Sequence, residues 1–172
     1  YTQRGERWSF AHANYAITAS STLAPEGERR YDPENLKEFR RAWVEGVPGT
    51  GVGEWLEIKP AVAKPLSAIV FSPGFPEKSL FKANARPKRV RVELNDEHAF
   101  SVNVPDAMEA LRIPVSAYTK PVSMIRLTFE EVWPAIESSS GGLRDLYGGL
   151  RAAYELAGAT DDGRDARVLA LV

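Results

Sequence analysis

The stretch Arg89-Val90-Arg91-Val92-Glu93-Leu94-Asn95-Asp96-Glu97-His98-Ala99-Phe100-Ser101-Val102-Asn103-Val104 decides the fold class. Val90, Val92 and Leu94 alternate with charged residues, and so do Phe100, Val102 and Val104 with polar or small ones. A period of two puts alternate side chains on opposite faces of a strand, so each run reads as half-buried β-structure. Asn95-Asp96-Glu97 between them is turn chemistry, and the pair reads as an antiparallel hairpin.

Working outward, the same pattern recurs. Ile125, Leu127 and Phe129 alternate with Arg126 and Thr128. Further strands are expected at Tyr15–Ala19, Glu54–Lys59, Leu66–Ser72, Ile113–Ala117 and Arg167–Val172. Short strands separated by Pro, Gly, Asn and Asp, with gaps too short for crossover helices, predict an all-β sandwich or barrel. Two segments break the pattern. Asp32 followed by Pro33-Glu34-Asn35-Leu36-Lys37-Glu38-Phe39 is an N-cap with proline at the first helical position, and predicts one or two helical turns. Leu143, Leu146, Tyr147, Leu150, Ala153, Tyr154 and Ala157 fall on one face at helical spacing, which predicts an amphipathic helix interrupted at Gly148-Gly149. With Ser138–Gly142 before it and Asp161-Asp162-Gly163 after it, the segment at about 135–163 reads as an insertion before the last strand.

The 172 residues suit one domain spanning 1–172. The net charge of −1 gives no footprint for nucleic acid, and no run reaches the roughly 20 apolar residues of a membrane span. Zero cysteines remove disulfides, thiol nucleophiles and cysteine-ligated metals. The sequence starts at Tyr1 without methionine, as expected of a processed chain that has lost a signal peptide.

The most distinctive residues are Ala42-Trp43-Val44-Glu45-Gly46, then Gly49-Thr50-Gly51-Val52-Gly53-Glu54-Trp55-Leu56-Glu57-Ile58. Ile69–Phe75, Lys78-Ser79 and Phe81–Val92 follow. In that order, from about Ala19 to Trp133, these segments resemble the NADase-type glycan-binding domain, a discoidin-like member of the galactose-binding-like superfamily. The resemblance implies a jelly-roll sandwich of about eight strands and a non-catalytic, exported module that binds glycans. Many members of the wider superfamily hold calcium with an Asp-Gly turn ahead of the early Trp and a Glu in the final strand. Here the turn reads Lys37-Glu38-Phe39-Arg40-Arg41 and the last strand Val168-Leu169-Ala170-Leu171, so no metal and no other cofactor is expected.

No catalytic residues are expected. Gly49–Gly53 precedes a strand rather than a helix, so its glycines read as turn residues, not a phosphate loop. His12 and His98 lack ligand spacing. Glu130-Glu131 and Asp161-Asp162 read as surface pairs, and no Gly-x-Ser-x-Gly elbow is present. Sugars stack their C–H faces on rings while amides and charges bond the hydroxyls. The ligand candidates are therefore Trp133, Phe75, Lys78, Phe81, Asn84 and Arg86. Trp43 and Trp55 are expected in the core. An alternative for Asn84, Arg86 and Lys88 is a loop brace in which Arg86 pairs with a carboxylate such as Glu45.

Two functions follow. One is a carbohydrate-binding module for a glycan or cell-wall polysaccharide, secreted or periplasmic. The alternative is an assembly domain that has lost sugar binding and meets a protein partner through the inserted helix, with Leu143, Leu146, Tyr147, Leu150 and Tyr154 at the interface.

Overall fold

A computed structural model describes residues 15–37, 41–75, 78–136, 150–157 and 166–170, the last two segments as backbone only. Among the described residues, nine strands form two antiparallel sheets. The first has β1 (Tyr15–Ala19), β2 (Trp55–Pro60), β7 (Ile125–Trp133), β4 (Arg86–Leu94) and β5 (His98–Asn103), side by side in that order. The second has β6 (Leu111–Pro114), β3 (Leu66–Pro73), β8 (Leu150–Ala157) and β9 (Ala166–Ala170). This is a jelly-roll β-sandwich. A 3-10 turn at Pro33–Lys37 and a short helix α1 (Lys78–Ala83) complete the described elements.

The core is made by strand parity. Ile17, Leu56, Ile58, Val90, Val92, Leu94, Ile125, Leu127 and Phe129 from the first sheet meet Leu66, Ile69, Phe71 and Ile113 from the second. Burying each such side chain contributes roughly 1.5–3 kcal/mol before the entropy of ordering it is subtracted. Trp43 lies among them, fully buried, its ring stacked 5.8 Å from Phe129 and its Nε1 donating to Ser21 O at 3.0 Å.

The hairpin forms as the sequence predicts. Arg89–Leu94 pairs with Asn103–His98, and Asn95 and Asp96 take φ of 53° and 56°, the left-handed pair that a I′ turn requires. Asn95 also explains the far end of the sandwich. Its Nδ2 donates to Tyr118 Oη and Pro121 O, both at 2.9 Å, while its Oδ1 accepts from the Ser123 and Met124 amides at 2.8 and 3.1 Å. One side chain thereby ties the 115–124 loop to the hairpin.

Two expectations need correction. The helix expected through Leu143–Ala157 is a strand over Leu150–Ala157, hydrogen-bonded to β3 from Leu66↔Leu156 to Pro73↔Leu150. Leu150-Arg151-Ala152-Ala153-Tyr154-Glu155-Leu156-Ala157 also fits a period of two, and pairing to an open strand satisfies its backbone groups in a row. Leu143, Leu146 and Tyr147 lie outside the described residues, as do Asp161-Asp162 and His12. Trp55 is not in the core. Leu56 and Ile58 point inward, so parity sends Trp55 and Glu57 outward, and the Arg126 guanidinium covers the Trp55 ring at 5.2 Å.

Candidate rim site

Strand direction gathers four connections at one end of the sandwich. β1 and β7 end there, β2 and β4 begin there, and β3 and β5 run out there. The segments between Ser20 and Glu54, Gly74 and Ala85, and Val104 and Ala110 therefore share a rim with the residues after Trp133. All six ligand candidates sit on it, but at different depths. Lys78 is exposed, Phe75 and Trp133 are half-buried, and Phe81, Asn84 and Arg86 are buried.

Arg86 organises the rim. It is 2% exposed, and its Nε and Nη2 form a fork on the Asp106 carboxylate at 2.7 and 3.1 Å. Nη1 donates to Asn84 O at 2.6 Å and Pro134 O at 3.1 Å, and the guanidinium lies 5.2 Å from the Phe81 ring centre. Lys82 adds a second cation to Asp106 at 2.5 Å. The Arg86 hydrogen bonds outweigh burial and, with Lys82, hold the Asp106 carboxyl below its ordinary range. The brace expected around Arg86 is present, with Asp106 as its carboxylate in place of Glu45. Its donors are spent on three of the four rim segments, which fixes those loops to one another. Asn84 belongs to the same brace: Nδ2 donates to Leu80 O at 2.6 Å, while Oδ1 is buried without a protein partner.

Trp133 is set differently. Its Nε1 donates to Val104 O at 3.0 Å, which fixes the ring plane at the rim. The β4–β7 register shifts at Lys88, leaving it as the extra residue of a bulge. Bulges re-aim side chains, and here Lys88 Nζ stands 5.2 Å above the Trp133 ring while bonding Glu131 at 2.8 Å. Glu130 pairs with Arg89 at 2.9 Å, so both members of the Glu130-Glu131 pair are held as surface ion pairs.

Between the Gly49–Gly53 turn and the β4 and β7 ends lies a cavity of about 10 Å³, lined by Glu45, Thr50, Gly51, Arg86, Pro87 and Phe129 among others. That is room for one water. Glu45 is 4% exposed, and its carboxyl is pushed up to about 7, chiefly by burial, with Glu54 adding repulsion. Glu54 itself accepts from Ser20 Oγ at 2.6 Å and from Ser21 Oγ. Among the described residues, no three His, Asp or Glu side chains converge as metal ligands, and no helix is long and apolar enough to cross a membrane.

The sequence pointed to this rim but missed Asp106, Lys82, and the bulge that brings Lys88 onto Trp133. Asp106 follows Pro105 at a strand end and carries no local mark of its partner 20 residues away.

Comparison with known proteins agrees with this geometry. A family model described as the NAD glycohydrolase translocation F5/8 type C domain matches residues 10–133. No curated protein sequence matches the chain. Among solved structures, the arabinofuranosyltransferase AftD from Mycobacteria aligns with a TM-score of 0.56 and 15% identity over 91% of this chain and 11% of that one. The Clostridium perfringens module CpGH89CBM32-5, solved in complex with GalNAc-β-1,3-galactose, aligns with a TM-score of 0.51 and 10% identity over 80% of this chain and 89% of that one. At such identities the likeness is one of fold. The chain spans about a tenth of the length of the mycobacterial enzyme.

Proposed function

The chain belongs to the NAD glycohydrolase translocation F5/8 type C family, and from that premise we propose that it is a non-catalytic glycan-binding module of an exported or cell-surface protein. The observation that carries this reading is the rim: Trp133 is held half-buried with Lys88 over its ring, at the same end of the sandwich as Phe75 and the exposed Lys78. A sugar stacks on the Trp133 ring in this reading, displacing Lys88 or using the opposite face, and Lys88 and Lys78 bond its hydroxyls or a uronate. Phe81, Asn84 and Arg86 act beneath as the brace, because the Phe81 ring is buried and the polar atoms of Asn84 and Arg86 are buried or committed within the chain.

The non-catalytic part rests on chemistry. The rim carboxylates Asp106, Glu130 and Glu131 are each ion-paired. Glu45 is buried beneath Gly51 and Glu54 accepts from Ser20 and Ser21, so neither stands free in an open cleft as a general acid and its partner would. The assembly reading drew on the missing calcium ligands and, for its interface, on an amphipathic helix over Leu143–Ala157. With Leu150 and Tyr154 on a strand paired to β3, that second support is gone.

A glycan array followed by titration of the best hit tests the proposal. Trp133→Ala and Lys88→Ala should weaken binding at least about tenfold, the loss of one stacking contact or charged hydrogen bond. Lys120→Ala at the opposite end should not. Absence of binding across neutral and acidic polysaccharides, or equal loss in all three variants, overturns it.

A further inference from the structure

Gly51 does not merely turn the chain; it sits on a carboxyl group. A Cβ built on Gly51 would lie 2.7 Å from Glu45 Oε1 and 2.9 Å from its Cδ, and Gly49, Gly51 and Gly53 take φ of 111°, 72° and 92°. The turn is hinged by three glycines and closed directly on Glu45. Two bonds hold it shut, the Gly53 amide donating to Phe129 O at 2.7 Å and the Glu54 amide to Gly51 O at 3.1 Å. Beyond Glu45 is the water-sized cavity walled by Arg86, Pro87, Phe129 and Val132.

The charged groups facing Glu45 do not compensate a negative charge there. Glu54, at the end of the turn, repels it. Arg86, on the β4 wall, has its Nε and Nη2 committed to Asp106 and its Nη1 to main-chain carbonyls. A backbone hydrogen bond to the Glu45 carboxyl favours the ionised form, but burial outweighs it, and under the closed turn the cavity beside Glu45 has room for one water only, short of a carboxylate's hydration.

We propose that the Gly49–Gly53 turn is a lip operated by the protonation state of Glu45: it lies closed on the neutral acid and lifts when the acid ionises, widening the rim cavity between Thr50-Gly51 and Pro87-Val132. The lip is independent of what the rim binds. A carboxyl near its usual 4.5 when hydrated and at about 7 under the lip links opening to pH. By that linkage the open fraction rises about 30-fold between pH 5.5 and 8.5 and levels off above about 7.

Hydrogen exchange of the full chain, corrected for intrinsic rates, measures this at the Gly53 and Glu54 amides, whose bonds to Phe129 O and Gly51 O close the turn, against those of Val90–Leu94. The expected result is loss of protection with rising pH in the turn alone, levelling near the pH at which the ¹³C-labelled Glu45 carboxyl titrates in the same sample. Glu45→Gln should keep the turn protected at every pH. Gly51→Ala, whose Cβ strikes the carboxyl, should leave it unprotected at every pH. A Glu45 titration near 4.5, or turn protection that ignores pH in the unmodified chain, overturns the proposal even if neither variant folds. So does wild-type pH dependence persisting in Glu45→Gln or in Gly51→Ala.

Discussion

Removing the Asp106 carboxylate should destabilise the whole domain, because Arg86 is too deep to find another anion. Asp106→Ala deletes the fork at 2.7 and 3.1 Å and leaves a guanidinium that is 2% exposed with main-chain carbonyls as its remaining partners. Breaking a buried pair from one side costs about 3–5 kcal/mol. Asp106 is 27% exposed at its side chain, so water reaches that side of the gap and the lower end, about 3 kcal/mol, is expected. With a urea slope of about 2 kcal/mol/M, the midpoint falls by about 1.5 M. Arg86→Lys should not rescue the pair, since one ammonium cannot span Asp106, Asn84 O and Pro134 O together. Arg86→Met combined with Asp106→Ala should cost less than the sum of the single changes, because the second removal no longer strands a charge. Equilibrium urea unfolding followed by far-UV circular dichroism measures all of these. A loss below about 1 kcal/mol for Asp106→Ala would refute the view that this pair, rather than general burial, holds the rim together.

Other outcomes follow from the same geometry. For Glu45 the folded value of about 7 lies above the ordinary 4.5, so the stability of the neutral acid is present below 4.5, declines as pH rises towards 7 and is flat beyond. The shift of about 2.5 units corresponds to about 3 kcal/mol at most. Glu45→Gln should remove that decline in urea titrations between pH 4.5 and 8; an unchanged profile speaks against it. Asp106 and Glu57 work in the opposite sense, their carboxyls being held low by Arg86 in the first case and chiefly by Lys59 in the second. Their contribution is present above the ordinary carboxylate value and is lost as acid protonates them, so unfolding below about pH 4 should be milder in Asp106→Asn relative to its own neutral-pH stability. Gly46→Ala would place a methyl 2.4 Å from the Thr22 carbonyl oxygen, and soluble yield together with the urea midpoint should fall sharply. At the far end, Asn95→Gly keeps the turn's φ but deletes the side-chain bonds to the 115–124 loop, and should cost about 1–3 kcal/mol. Melting at the level of the unmodified chain would remove Asn95 from its bracing role.

Much of the fold was legible because strand parity is a local signal. Val90, Val92 and Leu94 announce their face without knowledge of any partner strand, and Asn95-Asp96 announces the turn. The same rule, applied strictly, would have sent Trp55 outward: with Leu56 and Ile58 inside, a neighbouring tryptophan must face away, whatever its hydrophobicity. Residue type prevailed over register there, and register was the better guide. Leu143–Ala157 failed for another reason. Leu150–Ala157 fits both helical and strand periods, and the choice is made by β3, whose far edge needs a partner. A sequence window cannot contain that edge.

The rim shows the same division between local and distant information. Trp133 was found because an aromatic residue before a proline at a strand end is visible locally. Its setting was not, because it depends on a register shift that turns Lys88 towards it and on a carbonyl, Val104 O, that the preceding hairpin delivers. Arg86 and Asn84 looked like ligand groups because a polar cluster reads the same whether it faces a sugar or the protein's own loops. Burial separates the two roles: a group with its donors spent inside cannot also bind outside, but it can decide where exposed groups stand. On that argument Asp106→Ala should harm glycan binding through the positions of Trp133 and Lys88, and lowering the temperature to restore folding should recover much of the affinity. Trp133→Ala should remain weak at any temperature, and it is this difference in behaviour that tells the ring that touches the sugar from the brace that holds it.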